Sequence, residues 1–247
     1  FGAKGDAETD DTKAIQEAID KYDNIYVPQG WYRITETLKM KPDTKLIGLH
    51  PFGTQFRLDE STAAFSGFGG PKAMVESSEG GANMLVGIGI NTGGYNYRAV
   101  GVKWMANADS YMNDVKFVGG HGGLWKPKPG VEEPRGRWNR PARISSPDNP
   151  VAASGMDLAW DNQYWSLWVT NNGGGTFKDI WTASTYATNG FYANNTSTPG
   201  RIYAMSIEQH ANRGREPRKY RLPTDRDGRL QRCDLCKLVY VPRYPCQ

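Results

Sequence analysis

Asp114, Asp179 and Glu208 are the carboxylates whose setting could carry chemistry. Each flanks a short apolar run, at Val115, Ile180 and Ile207. If those three point into a core, strand alternation turns their neighbours outward. Asp114, Asp179 and Ser206 then form one outward ladder, and Lys116, Trp181 and Glu208 the next. Strands stacked about 4.8 Å apart make Asp114 and Asp179 neighbours if the chain between them loops out. Carboxylates about 5 Å apart suit acid–base work at a glycosidic bond, or a calcium-assisted elimination. Mutual repulsion would raise the pKa of one and supply an acid at neutral pH. The competing reading is a solvated pair beside turns. Glu208, followed by Gln209 and His210, is a third candidate acid.

Aromatic residues supply the binding signal. Trp168 and Trp181 fall on outward positions, and Tyr164-Trp165 lies just before them. The C–H faces of sugar rings are apolar and stack on exposed aromatic rings. An equal alternative is that some of these rings hold a long insertion against the fold.

The elements that would position these residues show in a weak repeat. Val75 and Ile88, Val102 and Val115, and Leu167 and Ile180 are each 13 apart. Val75 to Val102, Ile88 to Val115 and Ile180 to Ile207 are each offset by 27. Short apolar runs at that spacing, separated by turns such as Gly80-Gly81 and Asn171 to Gly175, predict stacked coils of about two strands each. A β-sandwich also spaces its strands evenly but needs no fixed offset. Asp10 and Asp11 are helix N-cap candidates, and Ala14, Ile15, Ala18 and Ile19 share a face of the short helix that follows. The segment 121–162 is rich in Pro, Gly and Arg and reads as an insertion lying over one face.

Charge is uneven. The 247 residues carry +4 overall, but 211–247 hold ten Lys/Arg against four Asp/Glu, leaving 20 against 22 elsewhere. A body at −2 lacks the basic stripe of a phosphate-binding surface, so no nucleic-acid partner is expected. No apolar stretch is long enough for a membrane-crossing helix. All three cysteines, Cys233, Cys236 and Cys246, lie in the basic segment, which reads as an irregular, out-of-frame or foreign end, and no metal site is expected.

Phe1-Gly2-Ala3-Lys4-Gly5-Asp6, then Thr9-Asp10-Asp11-Thr12 and Ala14-Ile15, resembles the opening of the pectate-lyase-superfamily domain. Val27-Pro28-Gln29-Gly30-Trp31-Tyr32 is similar to its next turn. The resemblance covers about 1–210 and implies an all-β, right-handed parallel β-helix with an N-terminal capping helix. It further implies a secreted protein with a polysaccharide substrate. A glycoside hydrolase is the leading expectation. The alternatives are a pectate-type lyase, for which calcium would be the cofactor, and a non-catalytic glycan-binding or tailspike-like fibre. The polygalacturonase acid series does not carry over: Gly120-His121-Gly122 is present, but Asn91-Thr92 is followed by Gly93.

Overall fold

The computed structural model describes residues 1–118, 163–184 and 186–207. The described chain opens with β1 (Asp6–Asp10) and α1 (Thr12–Lys21). Among the described residues five sets of three strands follow, one set to a coil. They are β2 (Asn24–Val27), β3 (Gly30–Arg33) and β4 (Leu38–Lys39); β5 (Lys45–Gly48), β6 (Thr54–Arg57) and β7 (Lys72–Glu76); and β8 (Met84–Val86), β9 (Gly89–Asn91) and β10 (Ala99–Trp104). The fourth coil is β11 (Tyr111–Asn113), β12 (Lys116–Phe117) and β13 (Gln163–Val169), and the fifth is β14 (Gly175–Lys178), β15 (Ile180–Thr182) and β16 (Ala187–Ala193). β17 (Gly200–Ile202) and β18 (Met205–Ile207) begin a sixth.

Among the described residues every strand pairs in parallel with its counterpart one coil away, which excludes a sandwich; with the right-handed crossovers that parallel strands adopt, the fold is a right-handed parallel β-helix. The three strand positions build three sheets. Sheet A runs β1-β3-β6-β9-β12-β15-β18, sheet B β2-β5-β8-β11-β14-β17, and sheet C β4-β7-β10-β13-β16. Inward side chains stack in ladders: Leu38, Val75, Val102, Leu167 and Phe191 in sheet C; Leu46, Leu85, Met112 and Phe177 in sheet B; Tyr32, Phe56, Ile90 and Phe117 in sheet A. Parallel strands need cover on their inner faces, and these ladders form one continuous buried core.

The expected ladder of Val75, Val102 and Leu167 is present. Two expectations need correction. Each coil has three strands, because β8 and β9, like β11 and β12, are separated by a corner too short to break the apolar run. Ile207 does not face Ile180. Ile180 pairs with Met205, Trp181 with Ser206 and Thr182 with Ile207. The last described coil is two residues shorter than 27, and its passage from β15 to β16 is shorter than that from β9 to β10. Ser206 therefore joins the ladder of Trp181, while Ala204 stands opposite Asp179.

The helix α1 caps the solenoid, with Ile15, Ala18 and Ile19 buried against the first coil. The open edge of sheet C is covered by one side chain: the Gln16 amide accepts from Lys39 N–H at 2.8 Å and donates to Lys39 C=O at 3.0 Å. That satisfies backbone groups an exposed edge strand would leave unpaired. The two aspartates divide the N-terminal work. Asp10 accepts from the Thr12 N–H and hydroxyl. Asp11 occupies the N-cap position without a side-chain cap bond, contrary to expectation. Its buried carboxylate instead accepts from Lys4 N–H at 2.8 Å and Gly5 N–H at 3.0 Å, tying down the opening segment. Gly5, at φ +60°, lies so close to Gly30 and the Tyr32 ring that a Cβ there would sit 2.9 Å from the ring. The recurrent glycines and tyrosine of this segment are thus one packing unit.

Asp6 and Asp10 are both held below the ordinary carboxylate range. For Asp6 the cause is hydrogen bonding from the Thr9 N–H and hydroxyl. For Asp10, burial pushes upward, but bonds from Thr12 and Thr35 outweigh it. A depressed carboxylate stabilises the fold above its unfolded value, near 3.8, and loses that contribution as pH falls through the folded value. Amide exchange in β1 and α1 is therefore expected to accelerate below about pH 4, before that of β7 and β10. Uniform loss of protection would contradict a separately titrating cap.

Candidate functional site

The corner from sheet B to sheet A is a single left-handed residue in successive coils: Gly87 (φ 65°), Asp114 (φ 49°) and Asp179 (φ 52°). Aspartate tolerates this conformation better than most residues, which gives both acids a structural reason to be there. They occupy equivalent corners of adjacent coils, joined by a bond from Asp114 N–H to Lys178 C=O. Lys116 lies between them, with its Nζ 3.2 Å from Asp114 Oδ1 and 3.3 Å from the Asp179 carbonyl. Asp179 Oδ2 is 3.6 Å from Lys178 Nζ. Trp181 stands next to this corner on the outer face of sheet A, its ring 5.7 Å from Phe52. Glu208, the insertion 121–162 and the segment 211–247 lie outside the described residues.

The other aromatic candidates are on a different face. Trp168 lies on the outer side of sheet C in a ladder of Lys39, Glu76, Lys103, Trp168 and Tyr192. The Lys103 ammonium is 5.2 Å from the Trp168 ring centre, and Trp168 Nε1 donates to Asn194 Oδ1 at 2.7 Å. Trp165 is stacked on Tyr192 with centroids 4.2 Å apart and planes at 19°, and it touches Trp168 at 4.9 Å. Tyr164 meets Trp165 edge-on at 5.4 Å, and its hydroxyl donates to Gly69 C=O. That bond ties the cluster to a loop whose tip carries Phe68, fully exposed. The structure thus separates Tyr164, Trp165 and Trp168 from Trp181, Asp114 and Asp179, which share no face with them.

Among the described residues the longest link between strands, 58–71, leaves by the corner from sheet A to sheet C and joins β6 to β7. Sheet C therefore has a strand floor with one long described loop beside it, an arrangement suited to a binding face. Its partly exposed aromatic cluster can stack on sugar rings, with Lys103, Glu76 and Asn194 nearby to bond hydroxyls or carboxylates. Tyr192, Lys103, Glu76 and Phe68 were not singled out from sequence. Lys103 and Glu76 could have been found by taking the residue after Val102 and after Val75, just as Trp168 follows Leu167. Tyr192 stands 24 residues after Trp168, and Phe68 sits in a loop without a repeat.

A parallel β-helix with a capping helix, three sheets and a loop-bordered outer face defines a pectate-lyase-like, polysaccharide-related domain. The chain belongs to the rhamnogalacturonase A/epimerase, pectate lyase-like family, whose model matches residues 1–200. Over 50 residues, 19% of this chain, it is 48% identical to a probable glucan endo-1,3-beta-glucosidase of Arthroderma benhamiae. Over 48 residues, also 19% of this chain, it is 42% identical to the preneck appendage protein of Bacillus phage PZA. Each matched segment spans 6% of the relative's length. Among solved structures it is similar to the A-module of the Azotobacter vinelandii mannuronan C-5 epimerase AlgE4, at 18% identity and TM-score 0.34, covering 84% of this chain and 52% of that one. It is also similar to ORF18 of Geobacillus virus E2, at 17% identity and TM-score 0.33, covering 79% and 39%.

Proposed function

We propose that the outer face of sheet C binds a polysaccharide chain and that the domain serves a carbohydrate-active, secreted protein. The four-ring cluster of Tyr164, Trp165, Trp168 and Tyr192 carries this reading. Rings held edge-on and stacked on a rigid strand floor are already ordered, so little entropy is lost when a sugar docks. Trp168→Ala and Trp165→Ala are each expected to weaken glycan binding about fivefold or more with the thermal midpoint nearly unchanged, read by calorimetry against a polysaccharide panel. Unchanged affinity in both variants would remove sheet C as the binding face.

A glycoside hydrolase is the reaction in keeping with paired carboxylates, and the stacking of Asp114 and Asp179 at equivalent corners favours them as the acid pair, with the sheet C cluster then an accessory binding surface on another face. Asparagine also tolerates the left-handed region, so Asp114→Asn and Asp179→Asn should fold normally. As catalytic groups, each would lose about a hundredfold or more in turnover. Full activity in both variants would leave these acids a structural corner ladder. Assaying reducing ends and unsaturated products in parallel, with calcium and with a chelator, separates hydrolysis from calcium-assisted elimination. A non-catalytic, tailspike-like glycan binder would give neither product while still binding.

A further inference from the structure

A second recognition surface lies away from sheet C, at the N-terminal end of sheet A. A shallow groove of 540 Å³ is lined by Gly5, Asp6, Gln29, Gly30, Trp31 and Phe52, among others. Its floor is backbone, because Gly5 and Gly30 approach so closely that neither can carry a Cβ without a contact of about 3 Å. Two aromatic walls rise from it: Trp31 is 37% exposed and Phe52 44% exposed. Phe52 is fixed by three neighbours. The Trp31 indole donates to its carbonyl, its own N–H donates to His50 Nδ1, and its ring meets Trp181 edge-on. The aromatic surface therefore continues from the first coil towards Trp181 in the fifth-coil strand β15, a run of three inter-coil steps from β6, or about 14 Å along the helix axis.

We propose that this groove is a second glycan-binding site, specific for an uncharged polysaccharide. The inference rests on the polysaccharide reading of the domain but not on sheet C as its binding face. Charge selects the occupant. Among the described residues the groove lining contains no lysine, arginine or histidine, and one acid, Asp6, which already accepts bonds from Glu8 N–H and from the Thr9 N–H and hydroxyl. Within that lining an acidic glycan would meet one fixed carboxylate and no cation; Lys116, farther along the same outward ladder, is paired with Asp114. A nucleic acid would find no phosphate partner. A neutral sugar chain finds aromatic faces for its C–H surfaces and, in Gln29, a side-chain amide that can both donate and accept. Exposed aromatic rings flanking a backbone floor on a rigid sheet are otherwise costly surface.

The test uses the full chain, with laminarin as the neutral probe and polygalacturonate as the acidic one, followed by calorimetry. Phe52→Ser combined with Gln29→Ala changes exposed positions and avoids the risk to folding carried by Trp31→Ala. In a background of Trp165→Ala and Trp168→Ala, laminarin binding is expected to persist and to fall about fivefold or more when the groove pair is added. Polygalacturonate binding is expected to be indifferent to the groove pair. The inference is overturned if laminarin does not bind the sheet C variant, if the groove pair leaves its affinity unchanged, or if polygalacturonate depends on the groove more than laminarin does. Should the sheet C substitutions have no effect while the groove pair does, the reading of sheet C fails and the groove stands.

Discussion

Trp104→Ala is expected to destabilise the protein by about 3–5 kcal/mol, measured by chemical denaturation. Trp104 ends β10 and is the largest fully buried side chain among the described residues. Its ring meets Phe177 of sheet B at 6.2 Å and 64°, so it bridges two sheets across the interior. Its indole N–H donates to Gly174 C=O at 2.9 Å, bracing the turn into β14. Truncation opens a cavity in a solenoid whose coils cannot collapse without breaking strand register, and it leaves a buried carbonyl without its donor. Trp104→Phe keeps much of the volume and should cost far less. A loss below about 1 kcal/mol for the alanine variant would mean that the interior at this coil is not close-packed.

Asp11→Ala is expected to cost about 2–4 kcal/mol, and the damage should be local. The carboxylate is buried and holds two backbone N–H groups, so its removal orphans both donors at once. Asp11→Asn keeps one acceptor and should recover part of the loss. Hydrogen exchange should show β1 and α1 deprotected while β7, β10 and β13 stay protected, because the coils beyond the cap make their own contacts. Global unfolding at the same denaturant concentration would show that the cap is required for the whole stack.

The sequence made the coil repeat legible wherever two conditions held: an inward residue was large and aliphatic, and the coil had its full length. Val75, Val102 and Leu167 satisfy both. Ile207 satisfies only the first, because its coil is shorter and the register moves by two. The third strand of each coil was hidden because the left-handed corner at Gly87 or Asp114 turns the chain from sheet B to sheet A in so few residues that the apolar run is unbroken. Alternation could tell which side chains face outward, but not which of three sheets they sit on. Trp168 and Trp181 both read as outward, and they stand on sheets C and A. Asp114 and Asp179 were correctly expected to be neighbours, yet their backbone conformation, which supplies a reason for aspartate independent of catalysis, has no signature in sequence. The aromatic partner of Trp165, Tyr192, was missed because pairing follows register and not a fixed offset.

The most direct test of glycan binding on sheet C is hydroxyl-radical footprinting of the intact chain, with and without a bound polysaccharide chosen from the panel. Tyr164, Trp165, Trp168, Tyr192 and the exposed Phe68 should all label in the free protein. With glycan bound, Trp165, Trp168 and Tyr192 are expected to lose labelling together, while Tyr203, exposed near the end of the described stack, does not. A glycan that binds and leaves those three rings as reactive as before would contradict the assignment of sheet C as the binding face.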